Sequence, residues 1–172
     1  LYAQWVINSY RLTFDYGNGT NTITELKYNE TIDYVTNVSR EGYTFNGWEP
    51  KPERMPAYNI TVTAQWTANN YTVFFDVNGG DALSDTDKTK EVTFDSLYGE
   101  LPTPTRTGHN FTGWLDNETN TVITEGTVVN ITDNQTLVAQ WEVNSYNVKF
   151  VSDDVTVKEG TLNYGADIVF PS

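Results

Sequence analysis

Few side chains in this sequence could carry out covalent chemistry. His109 is the only histidine and there is no cysteine, so a catalytic pair would depend on one imidazole, and no thiol can act as nucleophile or metal ligand. In an internal repeat described below, Tyr43 occupies the position of His109, which favours a packing or surface role for the histidine. We therefore predict that the chain is not an enzyme and uses no cofactor.

Three aspartates could offer hard oxygen ligands to a calcium ion. Asp81, Asp85 and Asp87 alternate with short residues, but the spacing of an EF-hand and its closing glutamate are missing. A solvated loop explains them, and we predict no metal site. The pair Gly79-Gly80 is followed by neither a helix start nor a lysine at P-loop spacing, which excludes that kind of phosphate site.

Asparagine-linked glycosylation is the modification that the sequence indicates. Composition alone gives about three to four Asn-x-Ser/Thr triplets, whereas nine asparagines begin one: Asn18, Asn29, Asn37, Asn59, Asn70, Asn110, Asn117, Asn130 and Asn134. The excess favours glycans on a secreted surface, and the alternative is a bacterial chain that carries the triplets unmodified. Because side chains of a strand alternate between its faces, we expect the loop sites Asn18, Asn29, Asn117 and Asn134 to be used before Asn110.

The elements that would position these residues are repeats. Ala-Gln-Trp followed by Asn-x-Tyr occurs three times, and each tryptophan precedes its tyrosine by five residues: Trp5 and Tyr10, Trp66 and Tyr71, Trp141 and Tyr146. A second motif, Gly-x-x-Phe-x-Gly-Trp, ends at Trp48 and at Trp114. We expect these repeated aromatic residues to be structural, with Trp48 and Trp114 in hydrophobic cores.

The repeats predict a modular chain. Its parts are the end of a preceding module with a connector (1–9), module 1 (10–66), a connector (67–70), module 2 (71–141), a connector (142–145) and the first half of an incomplete module 3 (146–172). The ends suggest either a window cut from a longer array, which we favour, or strand exchange in which residues 1–5 complete the third module of another copy.

Alternating apolar residues predict that each module is built from strands. The predicted strands are 1–5, 10–16, 22–28, 43–47, 59–66, 71–77, 91–94, 109–113 and 137–141. Trp48 is expected at the turn beyond its strand, and 28–38 is expected to form a short helical turn or a loop. The longer module 2 suggests an insertion at 122–136 that forms another small strand pair.

Four motifs resemble one family. Phe-Asp-x-Asn-Gly-Gly (75–80), Tyr-Gly (98–99), Pro-Thr-Pro-Thr-Arg-Thr-Gly-x-x-Phe-Thr-Gly-Trp (102–114) and Leu-Val-Ala-Gln-Trp (137–141) are similar to the Listeria–Bacteroides repeat, the internalin B-repeat. Module 1 departs from the pattern in its first turn (15–19) and at Tyr28-Asn29. The resemblance implies a mostly β (α+β) fold of tandem, small β-grasp-like modules with mixed sheets, arranged as an extended rod on secreted surface proteins.

Charge and motif content together favour a structural role. A net charge of −13 disfavours nucleic acid and anionic lipid as partners, and no apolar run approaches the roughly 20 residues of a membrane helix. We predict an extracellular spacer or stalk of a cell-surface protein or filament, whose partners are neighbouring copies of the repeat and a surface protein or glycan. The alternative is an adhesin-type module that recognises a carbohydrate or host protein. Aromatic residues repeated in both modules favour a core role, and unique ones favour binding.

Overall fold

The computed structural model describes residues 2–170, and this part of the chain forms strands and loops without a helix. The helical part of the predicted α+β class is therefore wrong. No helix among the described residues is long and apolar enough to cross a membrane. The chain divides into two compact units, residues 1–69 and 70–172.

The first unit contains one four-stranded sheet. Its strands are β1 (Ser9–Asp15), β2 (Asn21–Lys27), β3 (Tyr43–Glu49) and β4 (Ile60–Ala68), in the order β2-β1-β4-β3. The central pair β1 and β4 is parallel, and the two outer pairs are antiparallel. Parallel neighbours need a long crossover, and the chain between β2 and β4 supplies it.

The second unit repeats this sheet and adds to it. Its strands are β5 (Asn70–Asp76), β6 (Thr89–Thr93), β7 (His109–Asp116), β8 (Thr121–Ile123) and β9 (Gln135–Val143), in the order β6-β5-β9-β7-β8, with β5 and β9 parallel. Strands β10 (Ser145–Ser152) and β11 (Val155–Asn163) form a separate antiparallel hairpin. The first unit's strand order therefore recurs, and β8 is the addition.

A pair of loops takes the place of the helix that the β-grasp resemblance implies. In the first unit, the loop after β2 bonds to the loop before β4: Asn29 N donates to Met55 O (2.9 Å), Met55 N to Glu30 O (2.8 Å) and Ile32 N to Glu53 O (3.1 Å). The second unit has the same three bonds at Asp95 N to Val129 O, Val129 N to Ser96 O and Tyr98 N to Thr127 O. These backbone groups are satisfied without a helix.

The same bonds align the two modules and locate the insertion. Met55 corresponds to Val129, and it follows Trp48 by seven positions, whereas Val129 follows Trp114 by fifteen. Most of the extra residues thus precede Val129, and they include β8, which pairs with β7. The predicted strand pair within 122–136 is wrong because the inserted strand extends the existing sheet.

A β-bulge corrects the expected position of the tryptophans. The register of β3 on β4 shifts between Phe45 and Gly47, and that of β7 on β9 shifts between Phe111 and Gly113. The extra residue places Trp48 inside β3, on the same side as Phe45, rather than at a turn. Both motif glycines have positive φ, +115° at Gly47 and +144° at Gly113, which residues with a Cβ rarely adopt.

Each module has its own hydrophobic core around one of these tryptophans. Trp48 is 4% exposed and Trp114 is 2% exposed. Trp48 packs against Phe14 with ring centroids 5.0 Å apart, and Trp114 packs against Phe75 at 4.8 Å. Valine, leucine and alanine from the central strands complete both cores.

The segment before β1 does not form the predicted strand. Residues 2–8 lie outside any strand and Trp5 is 89% exposed, while Leu1 lies outside the described residues. A strand is stabilised by a paired neighbour, and no described strand pairs with this segment. Elsewhere strands run into the predicted connectors, so that Asn69 alone separates β4 from β5 and Asn144 alone separates β9 from β10.

Candidate functional site

The repeated tryptophans are hydrogen-bonded as well as packed. Trp48 Nε1 donates to Val35 O, and Trp114 Nε1 donates to Pro102 O, both at 2.8 Å. The half-buried Trp66 and Trp141 donate to the carbonyls that follow the first strand of each module, Tyr16 O (2.9 Å) and Val77 O (3.0 Å). The Ala-Gln-Trp motif thus fixes a turn, and its recurrence in both modules indicates a structural role.

The Asn-x-Tyr part of the motif lies at a joint between modules. Within the second unit, Asn144 N donates to Gly108 O and Tyr164 N donates to Asn144 O, each at 2.8 Å. The Tyr164 ring lies against Gly108, where an added Cβ would be 2.1 Å from Cγ and Cδ1 of the ring. Tyr10 and Tyr71 are partly buried, whereas Tyr146 is among the exposed large side chains, with 50% of its surface accessible.

His109 belongs to this joint, where its ring contacts Tyr164. Its Nδ1 lies 2.9 Å from Thr107 O, and its ring centroid lies 6.2 Å from that of Tyr164 in an edge-on arrangement. The contact is one of packing between module 2 and the β10–β11 hairpin.

The three candidate calcium ligands point to separate partners. Asp81 Oδ2 accepts from Thr105 Oγ1 at 2.5 Å, Asp85 pairs with Lys88 Nζ at 2.6 Å, and Asp87 Oδ2 accepts from Ser84 Oγ at 2.6 Å. Among residues 2–170, no three histidine or carboxylate side chains are placed to hold a metal ion.

Millimolar calcium is therefore expected to leave the melting temperature unchanged, since only a ligand that prefers the folded state raises it. Thermal unfolding followed by circular dichroism with calcium or with chelator checks this. A rise of several degrees that the chelator reverses would show that these carboxylates do converge on an ion.

The nine sequon asparagines are all exposed, including Asn110. The exposure of Asn110 removes the reason to expect this site to be used after the loop sites, and the order of use stays a prediction. Asn59 Oδ1 accepts from Arg11 N (2.8 Å), and Asn134 Oδ1 accepts from Thr72 N (2.9 Å), at equivalent places in the two modules. Asn18 accepts from Thr20 N, and Asn70 bonds to Glu91 and Thr93. The fold itself thus uses four of these asparagines.

A buried polar network in module 2 was not predicted from the sequence. Tyr98 Oη donates to Gln135 Oε1 (2.5 Å), and Gln135 Nε2 donates to Asp116 Oδ2 (3.0 Å). Thr119 Oγ1 donates to Asp116 Oδ2 (2.6 Å), and Glu118 N donates to Oδ1 (3.0 Å). Once the loop bonds align the modules, Tyr98 and Gln135 occupy the places of Ile32 and Ile60. The expected match of Tyr28-Asn29 with the Tyr-Gly motif at 98–99 is therefore wrong. Paired polar replacements at matched positions are the signal that could have revealed the network.

The network shifts the pKa of two of its members. Burial of Asp116 raises the pKa of its carboxyl, but the hydrogen bonds from Thr119, Glu118 N and Gln135 together outweigh burial and hold it below the usual range. Burial raises the pKa of Tyr98, and the nearby Asp116 charge adds to the rise. Tyr98 therefore stays protonated and donates its hydrogen.

Asp116→Asn is expected to lower the free energy of unfolding of module 2 at pH 7 by about 1–3 kcal/mol, because buried donors lose a charged acceptor. The folded-state pKa lies below the unfolded value of about 3.9. The carboxylate thus contributes its full stability above that value and loses it as the pH falls through the folded-state pKa. Urea unfolding between pH 3 and 7 measures the free energy of unfolding, which should fall less steeply with decreasing pH in Asp116→Asn than in the unchanged protein. Asp133→Asn, at an exposed position, is the control. If the free energy of unfolding falls equally with decreasing pH in the unchanged protein and in both variants, the network does not stabilise module 2 through the Asp116 carboxylate.

The chain matches a known repeat family. The model of the "Listeria-Bacteroides repeat domain" matches residues 10–69 and 71–140. A putative membrane protein of Evansella cellulosilytica is 32% identical over the whole chain, which spans 27% of that protein. Internalin H of Listeria monocytogenes is 37% identical over 68% of this chain, and the matched stretch spans 22% of Internalin H. The chain therefore spans about a quarter of each relative.

A solved structure has a weaker likeness. Streptococcal High Identity Repeats in Tandem (SHIRT) domains 3-4, from a cell surface protein, are 16% identical and cover 79% of this chain and 98% of their own, with a TM-score of 0.29. That score supports no structural argument. The two tandem matches of the family model, which coincide with the two sheets and their repeated tryptophans, establish the relationship: the chain belongs to the Listeria–Bacteroides repeat family.

Proposed function

We propose that this chain is a non-catalytic spacer segment of an extracellular cell-surface protein, with modules joined end to end through stiff connections. The joint at Asn144 carries the proposal. Only this residue separates β9 from β10, its N–H is bonded to Gly108 and its carbonyl to Tyr164. A one-residue connector held on both sides leaves few backbone torsions free, which is what a rod of modules requires.

The comparisons support the location, and the sheet supports the module type. One relative of the whole chain carries the name of a membrane protein, which supports a location at the cell envelope, and tandem repetition makes neighbouring copies the natural partners. The order β2-β1-β4-β3 with a central parallel pair supports a β-grasp-like module in which a loop replaces the helix.

Spin-label distances test the stiffness of the joint. The chain has no cysteine, so Thr112→Cys on β7 and Val157→Cys on β11 place two labels at exposed positions across the joint. We expect a distance distribution about as narrow as that of the pair Thr112→Cys and Thr136→Cys, which lies within one sheet. A Gly-Ser insertion after Asn144 supplies the flexible reference. A distribution as broad as that reference would refute a stiff spacer.

Glycosylation of the exposed sequons is a separate part of the proposal. Loop positions such as Asn18, Asn29 and Asn117 are accessible to a glycan. The bacterial relatives favour unmodified triplets, and the hydrogen bonds of Asn59 and Asn134 account for two triplets without glycans. Intact-mass measurement of the native protein decides, since attached glycan adds mass and an unmodified chain has the sequence mass.

A further inference from the structure

A pocket of about 440 Å³ opens on the first unit between the loop after β2 and the proline-rich loop before β4. Backbone pairing holds the two loops together: Ile32 N donates to Glu53 O at 3.1 Å, and Thr31 forms an isolated antiparallel β-bridge with Arg54. Tyr34 Oη donates to Pro52 O at 2.9 Å and fixes the ring beside the opening. The lining residues are Thr31, Ile32, Tyr34, Lys51, Glu53 and Arg54.

Two cations face this pocket without a carboxylate partner. In the described part of the chain, neither Lys51 nor Arg54 has an acidic oxygen within the 4.0 Å of an ion pair. Arg54 Nη1 donates to Asn29 O at 3.0 Å, and Lys51 Nζ lies 5.4 Å from the centroid of the Tyr34 ring. Both cations are thus positioned by neutral groups.

The second module has the same loop pairing with different side chains. The aligned loops place Glu100, Thr127 and Val128 where module 1 has Tyr34, Glu53 and Arg54. Module 2 therefore keeps the loop pairing but lacks the aromatic ring and the arginine. The Tyr34 ring also packs edge-on against Phe14, with ring centroids 5.9 Å apart, whereas the charged ends of Lys51 and Arg54 are exposed.

We propose that this pocket binds an acidic saccharide, one sugar residue of which carries a carboxylate. Lys51 and Arg54 bind the carboxylate by charge-assisted hydrogen bonds, and Ile32 and Tyr34 give the ring an apolar wall. The Glu53 carboxylate and the Thr31 hydroxyl accept from sugar hydroxyls. We take a sugar as the ligand because its several hydroxyls can donate to both acceptors while its ring lies on the apolar wall. The volume lies within the roughly 300–1,000 Å³ of ligand pockets.

Chemical-shift titration of the ¹⁵N-labelled chain tests the site with N-acetylneuraminic acid and methyl glucuronide, each beside its methyl ester. We expect saturable shifts at the pocket residues, and affinity at least about fivefold weaker for the esters, because the charge is removed while the ring is kept. Lys51→Gln and Arg54→Gln should each weaken binding of the acids by about five- to tenfold. Exposed Lys149→Gln is the matched control and should leave binding unchanged.

Several outcomes overturn the proposal. Equal affinity for acid and ester would show that Lys51 and Arg54 do not bind the carboxylate. An equal loss of affinity in Lys149→Gln would show that the losses in the other variants come from net charge alone. Tighter binding of a glutamate-rich peptide than of either sugar would reject the saccharide. No saturable shift with either acid refutes the site. Both substituted side chains are exposed, so the dispersed spectra of the variants confirm that a loss of binding is not a loss of fold.

Discussion

Replacing Trp48 or Trp114 with alanine is expected to lower the free energy of unfolding of its module by about 3–5 kcal/mol, the usual cost of truncating a large buried aromatic side chain. Each indole is almost fully buried and packs edge-on or tilted against the phenylalanine of the first strand. The substitution also leaves the carbonyl of Val35 or Pro102 without its donor.

Urea unfolding followed by module-resolved NMR intensities measures this loss. The matched control is Trp5→Ala, because Trp5 is 89% exposed and its removal should change stability by less than about 0.5 kcal/mol. The second module should keep its own midpoint when Trp48 is changed, since each core is built from its own residues. A loss below about 1 kcal/mol in both variants would mean that the cores do not depend on these residues.

The repeated features of the sequence predicted the strands well. Alternation of apolar residues in β1, β4, β5 and β9 reflects a sheet with one buried face, and the pattern follows from strand geometry alone. The family resemblance, which the match of the family model confirms, came from motifs that fix turns and bulges. Those motifs depend on glycine conformations and tryptophan side chains that few other residues can replace.

Features set by tertiary pairing were not predictable in the same way. Period-two alternation fails across Phe45-Asn46-Gly47, because the bulge adds a residue that only the partner strand reveals. The inserted β8 has three residues, too few for a periodic signal, and it is a strand because β7 lies beside it. From its charge, Asp116 is expected at the surface. Its burial becomes evident only when the fold places Gln135 and Tyr98 around it.

Gly108→Ala is expected to uncouple the β10–β11 hairpin from module 2 while both keep their own hydrogen bonds. Gly108 has a φ of +71°, which costs a residue with a Cβ about 1–3 kcal/mol. The new methyl group would also lie 2.1 Å from Cγ of Tyr164. Relief requires either a rotation of Tyr164 about χ1 or a shift of the hairpin, and both remove the contact between the ring and Gly108.

The spin-label pair at positions 112 and 157 should therefore change from a narrow to a broad distance distribution in Gly108→Ala. Gly126→Ala is the matched control, because its added Cβ meets no atom within 4 Å and its φ is not in the left-handed region. Tyr164→Ala should also broaden the distribution, because it removes the ring contact. Since it does not strain the backbone at Gly108, it shows the effect of losing the contact alone. If Gly108→Ala keeps the narrow distribution, the contact between Gly108 and Tyr164 does not hold the joint, and the stiffness must come from the hydrogen bonds of Asn144 alone.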